Sequence, residues 1–326
     1  MKMRKIVCSF MISVLCFMTA ISGVSATSYD TSKINAAYSK VVEYYKNNNN
    51  LNNADKILAV ESLGLEAESN QFDTSSADLS STSLSKKIVT EVLLGVDPTE
   101  DKKTLESQID ENGNVEGSWG ASSDVWTLYA LYVTSSEKAN LIANKLNDEL
   151  AASSVCGYEW GGTYYADYDT TGWVIEGLAV VNKEKYATTI NKAIDYIKNN
   201  TTMTTTGWVT ADNVDTQSQV LEGMFAYDTN ALLNDSYTVH PVDCLLNTQL
   251  SDGSFPSGYN AEYTTAEVAK TLGTYKNGSV FEKAKKAYDK MMNPEQPDNT
   301  KPAQPTDTKK DSQSTNKVET TNQKTT

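Results

Sequence analysis

"GGTYYADYDTTGWVIEGLAVV" (residues 161–181) sets two aspartates one residue apart, Asp167 and Asp169, among Tyr164, Tyr165, Tyr168 and Trp173. An apolar run with helical spacing follows. Alone, the stretch reads as an acid pair for proton chemistry, as the rim of a binding funnel, or as a helix start. Three other segments share its layout: "GSWGASSDVWTLYALYV" (117–133), "GWVTADNVDTQSQVLEGMFAY" (207–227) and "GSFPSGYNAEYTTAEVAKTLGTY" (253–275). Each has a glycine with an aromatic, a short polar gap, a capping residue and an amphipathic helix. The aromatics Trp119, Tyr164, Trp208 and Phe255 are 45, 44 and 47 positions apart. The expected helix starts at Asp124, Asp169, Asp215 and Tyr263 are 45, 46 and 48 apart. Second helices lie between them, such as "EKYATTINKAIDYIKNN". A helix hairpin that recurs at this period falls in the range of helical repeats.

Two weaker hairpins come first, at residues 30–48 with 53–65 and at 79–95 with 101–111. The expectation is an all-α chain of about twelve helices in six pairs, with no β-rich segment. Six hairpins can form an open superhelix or a ring, and closure buries the first repeat against the last. Residues 1–26 have a basic start, an apolar stretch and a small-residue end, the pattern of a secretory signal peptide. Residues 27–293 are the expected repeat domain. Residues 294–326 hold four prolines and no Leu, Ile, Phe, Tyr or Trp. Such a tail cannot offset its ordering entropy by burial and reads as a disordered linker. A secreted or cell-wall-associated protein, or a fragment of a longer surface protein, is expected.

The net charge is −14. Removing residues 1–26 takes away Lys2, Arg4 and Lys5, leaving −17 and no arginine. Arginine is the usual fork for diphosphates, and a basic face is needed for nucleic acid. Neither partner class fits. Beyond the leader, no stretch is apolar enough to span a membrane. Cys156 and Cys244 remain after cleavage, and buried thiols or a disulfide are both open readings.

The repeat resembles that of the squalene cyclase and protein prenyltransferase superfamily, whose fold is the α/α toroid. "QLSDGSF" (249–255) and the stretched "QIDENGNVEGSW" (108–119) carry the likeness best. Secreted bacterial proteins with such repeats, and the toroid domains of cobalamin carriers, look closest. The resemblance implies about six hairpins arranged as inner and outer helix rings. Squalene-type cyclases carry a DxDDTA motif whose middle aspartate protonates an alkene. The matching run here is Asp167, Tyr168, Asp169, Thr170, Thr171, Gly172. The third acid is replaced by Thr170 and the alanine by Gly172, so the motif is incomplete. Prenyltransferases hold zinc with Asp, Cys and His. "HPVDC" crowds His240, Asp243 and Cys244 together and has the wrong layout, so no metal or cofactor is expected.

Aspartate at a helix N-cap accepts a backbone N–H and suits the helix dipole. That accounts for Asp124, Asp169 and Asp215. Asp167 lies before the expected cap, so it is the better pointer to a site. Asp169 is expected to cap its helix while Asp167 faces solvent or ligand. Trp119 and Trp208 occupy repeat positions and are expected to pack between hairpins. Trp126, Trp173, Tyr164, Tyr165, Tyr168 and Tyr259, with Asp215, are candidates to line the mouth of the ring. "DENGNVE" (110–116) lacks the glycine of a calcium loop and reads as a polar turn. Three functions follow. The favoured one is binding of a small molecule, glycan or protein at the ring mouth without catalysis. The others are a terpenoid cyclase or prenyltransferase using Asp167 or Asp169, and a glycan-active enzyme pairing Glu159 with one of them.

Overall fold

The computed structural model describes residues 29–68, 72–74, 80–201 and 213–294. The expected leader, Trp208 and the expected tail beyond Pro294 lie outside the described residues. In chain order the elements are α1 (Thr31–Asn47), α2 (Ala54–Ser62), α3 (Ser81–Leu93), α4 (Thr99–Ser107), α5 (Ala121–Val133), α6 (Ala139–Ser153), β1 (Cys156–Trp160), β2 (Thr163–Asp167), α7 (Tyr168–Asn200), α8 (Val214–Asn234), α9 (Pro241–Leu246), α10 (Ala261–Asn277) and α11 (Val280–Met292). The chain is mostly helical.

One element departs from expectation. β1 and β2 form an antiparallel hairpin pairing Cys156 with Asp167 and Trp160 with Thr163. Its turn is Gly161–Gly162, with φ of 57° and 76°. Two consecutive left-handed residues match the strand twist, and glycine adopts them without a Cβ clash. β2 then runs directly into α7.

Two helices are each broken by one non-helical residue. α7 is interrupted at Asn182 and α8 at Asp228, both with extended φ/ψ. Each residue restarts the helix as an internal cap. Asn182 Oδ1 accepts from Lys185 N at 2.9 Å, and Asp228 Oδ1 from Ala231 N at 2.9 Å. The expected second helix at 184–200 is therefore present as the second half of α7.

Six helices pack in a closed order. α2 meets α3, α3 meets α5, α5 meets α7, α7 meets α8, α8 meets α10, and α10 returns to α2. The others lie on this set: α4 on α3, α6 on α5 and α7, α9 on α8, and α1 on α9 and α10. α1 thus makes its main contacts with the last repeats, not with the 53–65 helix expected to be its partner. α11 packs against α2, α3, α5 and α10. The six are buried over nearly every face, as in α5, where Val125, Leu128, Ala130 and Leu131 are all inaccessible. Helices hydrophobic on one stripe only would leave the other faces wet.

The closest approach is between α7 and α8. A Cβ on Gly172 would fall on the carbonyl oxygen of Gln219, and one on Gly223 on the carbonyl oxygen of Gly172. Glycine at 172, where the cyclase motif has alanine, is therefore a packing requirement in this chain.

Candidate functional site

The N-terminal turns of the six packed helices are joined by side chains all the way round. Lys86 of α3 pairs with Asp55 of α2 at 2.8 Å and lies 4.4 Å from the centre of the Trp126 ring on α5. Trp126 meets Trp173 of α7 edge-on, with centroids 5.8 Å apart. Asp169 of α7 is hydrogen-bonded to Thr216 of α8. Gln219 of α8 reaches the Tyr263 hydroxyl of α10 at 3.5 Å, and Lys56 of α2 pairs with Glu262 of α10 at 2.8 Å. These helices therefore run parallel, with all six N-termini at one end. Helix dipoles favour negative charge there.

Around and just beneath this level sits a buried charged cluster. Glu176, Glu222, Glu267 and Lys270 are all fully buried. Lys270 Nζ lies 3.1 Å from Glu267 and 3.6 Å from Glu222. It also lies 5.6 Å from the Trp126 ring, a contact from α10 across to α5. Glu176 accepts from Ser279 at 2.7 Å and from Tyr129 at 3.2 Å. Phe281 of α11 stacks on Tyr129 at 3.6 Å and covers the cluster from below. Three carboxyls face one ammonium. Burial pushes all three glutamates up, Glu222 most strongly, while Lys270 pulls them back. Burial also opposes the Lys270 charge, but the glutamates outweigh it and raise its pKa. Gln219 Oε1, Glu267 Oε1 and Trp173 Nε1 have no protein partner among the described residues. Buried polar atoms of this kind cost free energy unless a water or ligand meets them.

The two opening aspartates exchange the roles expected of them. Asp167 is the N-cap of α7: Oδ1 accepts from Thr170 N at 2.7 Å and Oδ2 from Thr170 Oγ1 at 2.9 Å. Asp169 sits in the first turn, turned towards α8. Burial first, then Asp167, Asp215 and Glu267, push its pKa up to about 7 against the Thr216 hydrogen bond. Asp124 and Asp215 are not caps either. The α5 and α8 caps are Gly120 and Asn213, and neither makes a side-chain cap bond. Asp124 is fully buried, takes a 2.6 Å bond from Ser118 Oγ and pairs with Lys145 at 2.9 Å. Asp215 takes a 2.7 Å bond from the Tyr259 hydroxyl. The α10 cap is Asn260, three residues before Tyr263.

No protein-family model, curated protein or solved structure matches the chain.

Of the residues singled out in the sequence, Asp169, Asp215, Trp173 and Tyr259 lie near this end and Trp126 is buried beside them; Asp55, Lys86, Gln219, Tyr263 and Glu267, which sequence reasoning missed, lie with them. Their signal was equivalence between repeats. Trp126, Trp173, Gln219 and Glu267 occupy one helical position, and Tyr129, Glu176, Glu222 and Lys270 the position three residues on. Tyr164 and Tyr165 lie on β2, exposed, and Tyr164 donates to Glu149 of α6 at 2.9 Å. Tyr168 is half-buried. Trp119, expected to pack between hairpins, is 60% exposed, because its backbone runs along the edge of β1 and leaves the ring outside. Asp110 accepts from Asn112 and Asn114 and closes a polar turn. Cys156 and Cys244 are free thiols, the first buried and the second half-buried. Among the described residues no three acids, histidines or cysteines could hold a metal, and no helix is long and apolar enough to cross a membrane.

Proposed function

We propose that this chain is a secreted or cell-surface α/α toroid that binds a ligand at the mouth of its ring, at the N-terminal ends of the inner helices. The cyclic order of helix contacts and the circuit of side chains at one end support the ring. The observation that carries the binding reading is the set of buried polar atoms without partners, Gln219 Oε1, Glu267 Oε1 and Trp173 Nε1, beneath an acidic rim. A polar ligand reaching down past Asp169 and Asp215 would supply what they lack. The ring is crossed at this level by Trp126, with Lys270 just beneath it, and is floored by Tyr129 and Phe281. Those contacts occupy the space a folded isoprenoid chain would need, which weighs against a cyclase.

One observation favours a second, catalytic reading. Asp169 stands where the cyclase motif has its proton donor, and its pKa of about 7 suits a general acid near neutral pH. A thermal-shift panel of soluble oligosaccharides, polyamines and linear isoprenoid alcohols separates the two. A ligand-induced shift that is lost in Asp169→Asn and Asp215→Asn is the expected result. A shift that survives both, or none across the three classes, counts against a mouth site. A cyclised isoprenoid formed only with Asp169 present would replace binding by catalysis.

A further inference from the structure

The β1–β2 hairpin stands at the same end as this site and carries rings that folding does not account for. Trp160 is 72% exposed, and Tyr158 and Tyr165 are open to solvent. The pairing of Tyr158 with Tyr165 and of Trp160 with Thr163 puts these four side chains on one face, because side chains alternate along a strand. The Tyr158 and Tyr165 rings are stacked with centroids 5.5 Å apart. Trp119, 60% exposed, lies beside the other edge of β1, where its carbonyl accepts from Glu159 N at 2.6 Å. Exposure grows outward along β1, from buried Cys156 to Trp160 at the tip.

The residue types narrow what this face fits. Between Cys156 and Asp167 there is no Arg, Lys, Met or aliphatic side chain larger than alanine. Protein interfaces enrich Met and Arg alongside aromatics. A polyanion would meet no cation here, only Glu159 and the −14 charge of the chain. Sugar rings match both features. Their C–H faces lie on aromatic rings, and their hydroxyls pair with Tyr hydroxyls and Thr163. The face is open, so it meets the flank of a chain and does not enclose its end.

We propose that the Tyr158–Trp160–Tyr165 face, with Trp119 beside it, binds an uncharged polysaccharide by stacking. This rests on the mouth end being the binding face and names the ligand class. The test is retention of the whole chain on microcrystalline cellulose, on chitin and in gels holding a soluble β-1,3-glucan. Retention on at least one is expected, and it should persist in roughly 0.5 M salt, where charge attraction is screened. The Trp119→Ala/Trp160→Ala double variant should lose about tenfold or more in affinity with its melting temperature unchanged, since both rings are largely outside the core. Absence of retention on all three, retention that ignores the double variant, or retention abolished by salt overturns the proposal. So does binding to cell-wall material that survives glycan oxidation but is lost on protease digestion, which assigns the face to a protein. A failed mouth site shows instead as a thermal shift indifferent to Asp169 and Asp215.

Discussion

Asp167 and Asp169 show how two identical residues, two positions apart, take opposite roles. Asp167 holds a backbone N–H and a hydroxyl at the start of α7, and its removal opens the first turn. Asp167→Ala is expected to cost about 1 kcal/mol, or about 2–4 °C in melting temperature for a domain of this size. Asp169 makes no cap bond and is held near other carboxyls, so Asp169→Asn should leave the melting temperature at pH 8 unchanged or raise it. Melts of the two variants at that pH check this, and a fall in Asp169→Asn matching that of Asp167→Ala would make Asp169 structural. Repeat spacing pointed the other way. It aligned Asp169 with Asp124 and Asp215, none of them a cap: Asp169 and Asp215 lie two residues after their caps, whereas Asp124 lies four after Gly120. The true caps, Gly120, Asp167, Asn213 and Asn260, recur at 47, 46 and 47 positions. Their side chains differ, so the recurrence is hidden from a search for like residues.

At the level of elements, the helices were legible because apolar spacing and turn residues agree, and the hairpin was not. Gly161–Gly162 between two aromatic runs is a tight-turn signal, but the same glycines also fit the repeat's glycine–aromatic layout, and the repeat absorbed them. The kinks at Asn182 and Asp228 left a weaker trace for a different reason: a single capping residue restarts the helix there without a glycine or proline. The α7–α8 contact leads to a prediction in which two effects compete. In an isolated helix, Gly172→Ala would gain about 1 kcal/mol from propensity. Here its methyl would overlap the Gln219 carbonyl, and overpacking of this kind costs about 1–3 kcal/mol. A net loss in melting temperature is expected. A rise would mean that the two helices do not touch at this point.

Across the whole molecule, the distribution of carboxyls fixes how stability depends on pH. Burial pushes Asp169 up to about 7, and burial with the neighbouring Asp101 pushes Glu91 up to about 8. Glu176, Glu222 and Glu267 are raised by burial as well. An acid whose pKa rises on folding takes up a proton as the chain folds, so stability falls as pH climbs from its unfolded value towards its folded one. For Asp169 and Glu91 the window runs from about 4 to about 8. His240, lowered by burial, acts the other way below its unfolded value, but it is the chain's single histidine. Asp30, Asp97, Asp110, Asp235, Asp243 and Asp252 are held low, and their contribution disappears only as pH drops below about 4. The stability maximum should therefore lie on the acid side, near pH 4–5. One pKa unit is worth about 1.4 kcal/mol before solvent screening. Even after discounting the half-buried Asp169, the melting temperature should be about 5 °C or more higher at pH 5 than at pH 8. Lys270→Met gives the sharper check. It strips the cluster of its buried cation and should cost roughly 3–5 kcal/mol at pH 8, where the glutamates are pressed to ionise. At pH 5, protonation of the same glutamates relieves much of that cost. Melts of both proteins at the two pH values measure the difference. An equal loss at pH 5 and pH 8 would show that the three glutamates keep one protonation state across this range, and that the pH dependence arises outside this cluster.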